Sequence, residues 1–169
     1  TARSRGLGDV YKRQGELLGI PGPELIAAHD DCGAPTYSMK LSQMAHLYAQ
    51  LSSGNRLDLE RILRAMTYYP TMVAGAGSFD TELMRLTEGE LVSKAGAEGI
   101  QCIGRVGEGM GLAIKVLDGS KRAKSAVAIH ILRQMGWISP SVAETLSETF
   151  MILSDYKRLD VVGELVMSY

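Results

Sequence analysis

Residues 90–119 read ELVSKAGAEGIQCIGRVGEGMGLAIKVLDG, and this stretch decides the predicted fold. It contains three short runs that suit β-strands and are separated by glycines: ELVSKA, GIQCIGRV and GLAIKVLDG. Strands that follow one another so closely are typical of an antiparallel meander. The glycines of VGEGMG have the spacing of a dinucleotide-binding loop, but the run after them is strand-like rather than helical. The motif therefore predicts a hairpin turn.

Helical periodicity lies on both sides of this meander. Apolar residues recur there every three or four positions, which predicts helices. The expected helices cover residues 21–28, 41–51, 59–69, 79–86 and 121–135, and a last short helix begins at Pro140 behind a Ser139 cap. The ending DVVGELVMSY, residues 160–169, is expected to form a closing strand. Helices packed on an antiparallel sheet make the predicted fold class α+β.

The composition is that of an ordinary soluble domain. The chain has 169 residues, a net charge of −1, 46% hydrophobic and 22% charged residues, which suits one core of single-domain size. The balanced charge argues against nucleic acid or an anionic membrane as the main partner. The sequence has no apolar run of membrane-spanning length and no recognisable signal peptide, so we expect a cytoplasmic protein. Cys32 and Cys102 form no C-x-x-C pair, and we expect reduced thiols.

The first fourteen residues, TARSRGLGDVYKRQ, differ from the rest of the chain. They are rich in arginine and lysine and show no apolar periodicity that continues into the following residues. They resemble the translated adaptor read-through found at the ends of metagenomic sequence fragments. We therefore expect residues 1–14 to be a non-native tail and the native protein to extend further upstream. Residues 15–169 would then be the C-terminal portion of a longer domain, truncated at its N-terminus.

One lysine within the meander is unusual for its position. Lys94 interrupts an apolar run, and a lysine in a strand core is costly to desolvate unless a counter-charge is near. Gly96 and Gly99 follow it, and glycines weaken a strand unless another backbone or a ligand approaches closely there. A cation beside exposed backbone amides suits an anion site. The alternative is an ordinary strand-end lysine that reaches solvent.

Two other patterns of catalytic or metal-binding type are weaker. Ser154 and Lys157 form a literal S-x-x-K pair, but a serine acylase needs that serine at the start of a buried helix. The charged residues around the pair favour a solvated turn instead. His29, His46 and His130 have no Glu or His partner at metal-ligand spacing, so we expect structural or surface roles for them.

Ordered blocks of the sequence resemble the L-asparaginase II family, which is distinct from the asparaginases with a threonine nucleophile. HDDCGAPT, MVAGAGSFDTELMR and VSKAGAEGIQC are similar to the family blocks D-G-C-G-x-P-T, G-x-G-R-F-D-T-x-L-M and K-G-G-A-E-G. GMGLAIKVLDGSKRAKSAVAIHILRQMGWI resembles the strand and helix that follow. The likeness covers residues 16–169. This chain departs from the blocks at Asp31 and Ala95, where the family has glycine, and at Ser78, where it has arginine.

The resemblance extends to the fold of glutaminases and serine β-lactamases, in which a K-x-G strand lines the active site. It implies that Lys94 supplies positive charge for a substrate carboxylate and that Gly96 lets the substrate approach the backbone. The N–H of Ala97 would be an oxyanion-hole donor, a contact whose loss typically costs on the order of 10²–10³ in rate. Glu98 and Gly99 would position the amino group of the substrate.

The implied reaction is hydrolysis of L-asparagine to L-aspartate and ammonia through a serine acyl-enzyme. In the family, the serine and its partner lysine form an S-x-x-K arrangement in the N-terminal half, ahead of residue 16. We therefore expect this chain to be inactive alone. No cofactor is required, although zinc is possible in the full-length protein, held by Cys32 and by ligands of the N-terminal half. In this chain Cys32 is expected to be a packed thiol.

Two other functions stay open at this point. The chain could belong to a non-catalytic binding or assembly module, in which Lys94 and the glycines serve only folding. It could also belong to a glutaminase-like or β-lactamase-like acylase with another substrate. The expected partner is a small molecule, with asparagine as the leading candidate. A homodimer is expected by resemblance alone.

Overall fold

The computed structural model describes residues 12–21, 26–29, 33, 35–154 and 157–161. The elements within these ranges follow the order expected from the sequence, with helices on either side of a central meander. They are α1 (residues 12–18), β1 (Ala27–His29), β2 (Pro35–Tyr37), α2 (Leu41–Ser52), α3 (Leu57–Tyr68), α4 (Pro70–Ala74), α5 (Phe79–Leu86), β3 (Leu91–Gly96), β4 (Ile100–Arg105), β5 (Met110–Lys115), α6 (Lys121–Gln134), α7 (Pro140–Phe150), β6 (Ile152–Ser154) and β7 (Lys157–Arg158).

Strands β3, β4 and β5 form the predicted antiparallel meander, in that order. Lys94 lies opposite Cys102, and Gly104 lies opposite Gly111. The strands β4 and β5 are joined by a tight turn, so the hairpin prediction for VGEGMG is confirmed. Two smaller antiparallel pairs, β1–β2 and β6–β7, complete the described strands. The α+β class with small antiparallel sheets flanked by helices is likewise confirmed.

One face of the meander packs against helices α5, α6 and α7. Leu91, Ile103 and Ile114 point from the three strands into this core. The helices contribute most of the remaining buried apolar side chains, among them Leu83, Leu132 and Leu146, each no more than 1% exposed. The apolar helix faces predicted from periodicity are therefore the faces that cover the sheet. This layer carries the two helices that border the candidate site described below.

Helix α2 lies on the opposite face of the meander and approaches it unusually closely. A Cβ atom added to Gly104 would lie 2.8 Å from the carbonyl oxygen of Tyr48, and one added to Gly111 would lie 2.6 Å from the backbone nitrogen of Ala49. No side chain fits in that space, so the glycine pair lets the helix backbone contact the sheet. The close packing explains why these strands carry glycines at paired positions.

One expectation about local structure differs from the fold. The helix expected over residues 21–28 is wrong, because residues 27–29 form strand β1 and pair with β2 in a regular ladder. Backbone pairing across the hairpin outweighs the weak local helix signal there. Ser154 and Lys157, where a solvated turn was expected, pair with each other across β6 and β7, and the two residues that connect them lie outside the described residues. Most of the expected closing strand, and residues 22–25, lie outside the described residues.

Part of the segment assigned to a non-native tail is described. Residues 12–14 belong to α1, and Arg13 forms ion pairs with Glu16, at 2.9 Å, and with Asp58. These pairs are exposed, and exposed pairs contribute little to stability. The boundary at residue 14 stays a prediction. In the described part of the chain, no helix has both the length and the apolar character to cross a membrane.

Candidate active site

The residues predicted from the K-x-G resemblance lie together at the end of an edge strand. Among the described strands, β3 pairs with β4 alone, and helix α5 contacts β3. Lys94 is half-buried within β3, Gly96 ends the strand, and Ala97, Glu98 and Gly99 form the turn into β4. Ala97 and Glu98 are exposed, whereas Gly99 is buried. The structure thus brings all five residues to one corner of the sheet.

The ammonium of Lys94 turns back to the strand edge. Its Nζ donates to the carbonyl oxygen of Ala95 at 2.7 Å. Within the described residues it forms no ion pair. A single bond to a neutral carbonyl leaves the other two N–H donors of the ammonium open, and an anion would be a stronger acceptor than that carbonyl.

Asp80, near the start of α5, holds this strand end in place. Its side chain is 2% exposed, and its Oδ2 accepts the backbone N–H of Ala95 at 2.8 Å. Its Oδ1 accepts from Ser93 Oγ and from Gln101 Nε2, each at 2.6 Å. A buried carboxylate is tolerated only with such donors around it. Asp80 therefore links α5 to two strands at the point where Lys94 leaves the sheet.

The cap of α5 explains one departure from the family blocks. Ser78, which stands where the family has arginine, is the N-cap of α5, and its Oγ accepts from the N–H of Thr81 at 3.3 Å. Thr81 Oγ1 in turn donates to the carbonyl of Gly75 at 2.6 Å. Serine satisfies a free N–H of the first helical turn, so its role here is structural. The G-x-G-S-F-D-T block as a whole orients the helix that carries Asp80.

Lys124 of α6 is a second lysine near this corner. It is only 7% exposed, and it has neither a hydrogen bond nor an ion pair with the described part of the chain. Burial lowers its pKa below the ordinary value; the carboxylate of Asp80 opposes this shift, and the charges of Lys121 and Lys94 add to it. The charges of Asp80, Lys94 and Lys124 therefore act on one another. Neither Asp80 nor Lys124 was predicted from the sequence to be a site residue.

The turn after the strand has its own structural requirements. Glu98 has a φ of +57°, in the left-handed region that few residues other than glycine adopt, and the Lys115 ammonium donates to its carbonyl. Gly99 packs so tightly that an added Cβ would lie 2.9 Å from Cβ of Val116. Packing alone therefore requires glycine at position 99. The exposed Ala97 N–H has no acceptor in the described part of the chain, so this donor is available to a ligand.

Cys32 is the residue for which the sequence raised the possibility of zinc binding. Cys32 lies outside the described residues, and no group of three potential metal ligands occurs among those that are described. Cys102 is a buried free thiol opposite Lys94, and burial together with the charge of Asp80 raises its pKa to about 11. Such a thiol is protonated and unreactive at neutral pH.

Two cavities lie elsewhere on the molecule. One of about 650 Å³ is bordered by α6, α7 and residues 158–161, and one of about 330 Å³ lies between α3 and the β4–β5 turn. Neither is lined by Lys94 or Asp80. We base the assignment of the corner at Lys94 on its cation and on the backbone N–H of Ala97 rather than on a pocket.

Comparison with known families agrees with the ordered blocks. A family model described as L-asparaginase II matches residues 8–167 of the chain. No curated protein matches it. The match spans the candidate site, both helices that border it and the complete meander.

Proposed function

Since the chain belongs to the L-asparaginase II family, we propose that it supplies the Lys94 strand side of an active site that hydrolyses L-asparagine to L-aspartate and ammonia. An L-asparaginase is an amidohydrolase, and it cleaves the side-chain amide of a small amino acid. The observation that carries the proposal is the corner itself. A half-buried ammonium, and a backbone N–H that has no acceptor among the described residues, lie on a strand end fixed by a buried carboxylate.

These groups suit the charges that amide hydrolysis creates. The carbonyl oxygen of the amide gains negative charge as the nucleophile attacks, and a fixed backbone N–H stabilises that charge. Ala97 supplies this donor in our proposal. In the same proposal, Lys94 supplies a positive charge for the carboxylate of the substrate, and Glu98 and Gly99 position its amino group. Asp80 keeps the strand end in one geometry, which such preorganised stabilisation requires.

The proposed mechanism proceeds through a serine acyl-enzyme. A serine hydroxyl, deprotonated by a neighbouring lysine, attacks the amide carbon, and ammonia leaves after receiving a proton. Water then hydrolyses the ester and releases aspartate. By resemblance to the family, this serine and lysine belong to sequence ahead of residue 16. In this chain Ser154 and Lys157 are strand partners, so they do not form the helical S-x-x-K arrangement.

The expectations about cofactor, zinc, location and oligomeric state belong to this proposal as well. The amide chemistry as proposed uses no cofactor, and zinc bound through Cys32 would have a structural role. Cytoplasmic location and a homodimer also stay predictions. An acylase with another amide substrate would use the same corner, whereas a non-catalytic module would not need the ammonium there.

The test is an ammonia-release assay on two proteins: the 169-residue chain, and the same chain preceded by its upstream coding sequence. Both are supplied with asparagine, glutamine and a neutral simple amide. We expect the extended protein to release ammonia from asparagine and the chain alone to release none above background. Faster release from glutamine would favour the acylase with another substrate. No release from any amide by the extended protein would favour the non-catalytic module.

A further inference from the structure

The turn that carries the proposed oxyanion donor holds a strained residue next to that donor. Glu98 has a φ of +57°, a conformation that a residue with a side chain keeps only when its surroundings enforce it. Ala97 and Glu98 are both exposed, so burial of their side chains contributes little to enforcing it. Within the turn, the N–H of Ile100 donates to the carbonyl of Ala97 at 3.3 Å, which is a long hydrogen bond. The conformation therefore depends on contacts from outside the turn.

Residues 115–120, at the end of β5 and beyond it, supply such contacts. The Lys115 ammonium donates to the carbonyl of Glu98, and the backbone N–H of Val116 donates to the carbonyl of Gly99 at 3.0 Å. Gly99 also packs on this segment, since an added Cβ would lie 2.9 Å from Cβ of Val116. These three contacts join one segment of the chain to two consecutive residues of the turn.

The contact of Lys115 is the one that acts on the strained residue itself. Lys115 is exposed at the end of β5, where a lysine side chain would ordinarily extend into solvent. Its strand partner is Ile100, and its ammonium extends beyond that partner to the carbonyl of Glu98. A hydrogen bond from a charged donor is stronger than one from a neutral donor. Lys115 therefore holds the side of Glu98 that leads into Gly99.

The N–H of Ala97 lies between two held points of the backbone. On one side, Asp80 accepts the N–H of Ala95 at 2.8 Å. On the other side, the Lys115 ammonium holds the carbonyl of Glu98. Peptide groups are planar, so only a few dihedral angles between these two points can change. Holding both ends restricts the direction in which the Ala97 N–H points, whereas Asp80 alone would hold one end.

We propose that Lys115 is a positioning residue for the hydrolysis: it holds the carbonyl of Glu98 and thereby keeps the N–H of Ala97 directed at the substrate oxygen that gains negative charge. This inference rests on the proposed function. A donor that is fixed in advance stabilises the transition state without reorganisation, so a loosened donor slows the chemical step more than it weakens substrate binding. Lys115 acts through Glu98 and does not contact the substrate.

The first measurement follows the turn and requires no activity. Nitrogen-15 relaxation of the 169-residue chain gives the order parameter of the Ala97 N–H. Lys115→Met keeps most of the side-chain length and removes the charged donor, whereas Lys115→Arg retains a charged donor. Lys121→Met is the control, because Lys121 is an exposed lysine whose ammonium forms no hydrogen bond or ion pair with the residues that the structure describes.

We expect the order parameter of the Ala97 N–H to fall in Lys115→Met from about 0.85, the value of rigid backbone, towards about 0.6. Lys115→Arg and the Lys121→Met control should keep the value of the unaltered chain. Melting temperatures of all variants should stay within about 2 °C of one another, since the contact of Lys115 is exposed.

The second measurement is the kinetics of ammonia release from asparagine by the chain preceded by its upstream coding sequence. Lys115→Met should lower kcat about tenfold, less than the loss of a whole oxyanion donor, and should change KM less than about twofold. Lys115→Arg should recover at least about half of kcat. Lys121→Met should leave both constants unchanged.

Several results would overturn the inference. An unchanged order parameter of the Ala97 N–H in Lys115→Met would show that the turn holds itself, and the proposed function could still stand. A higher KM at constant kcat would assign Lys115 to substrate binding. A fall in melting temperature that matches the fall in kcat, or no recovery with Lys115→Arg, would assign it to the fold or to another contact. If the unaltered extended protein releases no ammonia, the proposed function fails and the positioning role fails with it, even where the order parameter confirms the contact.

Discussion

The carboxylate of Asp80 accepts the backbone N–H of Ala95 at 2.8 Å and thereby ties helix α5 to the edge of the strand that carries Lys94. The carbonyl of Ala95 accepts the Lys94 ammonium at 2.7 Å. One residue of the strand thus contacts a buried anion through its N–H and a cation through its C=O. The geometry of Lys94 depends on a helix that lies outside the meander.

Asp80→Asn should lower the free energy of unfolding by about 2–3 kcal/mol, because an amide replaces a buried acceptor of three hydrogen bonds and leaves Lys124 without a nearby negative charge. Urea unfolding of the 169-residue chain, followed by circular dichroism, measures this. Glu82→Gln is the control, since Glu82 lies on the same helix and makes only a partly exposed ion pair with Arg85. That control should change stability by less than about 0.5 kcal/mol. Equal effects of the two variants would contradict a special role for Asp80.

The thiol of Cys102 should make stability fall at high pH. Its pKa is raised from 9.0 to about 11, so the folded chain keeps a proton that the unfolded chain loses between these values. The stabilisation is fully present below pH 9.0 and is lost as the pH rises through about 11. At most it amounts to about 2–3 kcal/mol. Cys102→Val carries no titrating group at this position, so the free energy of unfolding of the unaltered chain should fall relative to that of Cys102→Val over this pH range. A constant difference would contradict the prediction.

The two strand glycines Gly111 and Gly96 should respond differently to alanine. Gly111→Ala should destabilise the chain by about 3 kcal/mol, because an added methyl overlaps the backbone of α2. Gly96→Ala should cost less than about 1 kcal/mol, since its nearest contact is the side chain of Ile100 at 3.2 Å, which can shift. Thermal and urea unfolding of both variants check this. Similar losses would show that α2 does not contact the sheet as closely as described.

The 169-residue chain should bind no zinc in a fixed ratio. A single cysteine binds zinc weakly, and the described residues contain no group of three potential ligands. Metal analysis after dialysis against micromolar zinc measures the content. One zinc per chain that disappears in Cys32→Ser would contradict this prediction and would show that the chain itself provides further ligands.

Most of the fold was predictable because its signals are local. Three strand-like runs between glycines predicted the meander, and apolar residues at helical spacing from Leu41 to Leu51 predicted helix α2. Strand β1 was missed because Ala27–His29 has no strand pattern of its own and depends on pairing with β2.

The candidate site was predictable only along one strand. Lys94 and the turn after it are contiguous in sequence and match a family block, so they could be assigned. Asp80 and Lys124 come from the helices that precede and follow the meander in sequence, and their relation to Lys94 exists only after packing. A charged residue at a core-facing helix position was the available signal. Lys124 carries this signal, four residues before Ala128 and eight before Leu132, which are both buried on α6.

The activity of Lys94→Ala in the chain preceded by its upstream coding sequence tests the proposed site most directly. We expect kcat/KM for asparagine to fall by about 100-fold or more with little change in melting temperature, because the ammonium acts on the substrate rather than on the fold. Lys40→Ala, an exposed lysine before α2, should leave both values unchanged. Equally small effects of the two variants on kcat/KM, or a loss of melting temperature for Lys94→Ala that matches its loss of rate, would contradict the account.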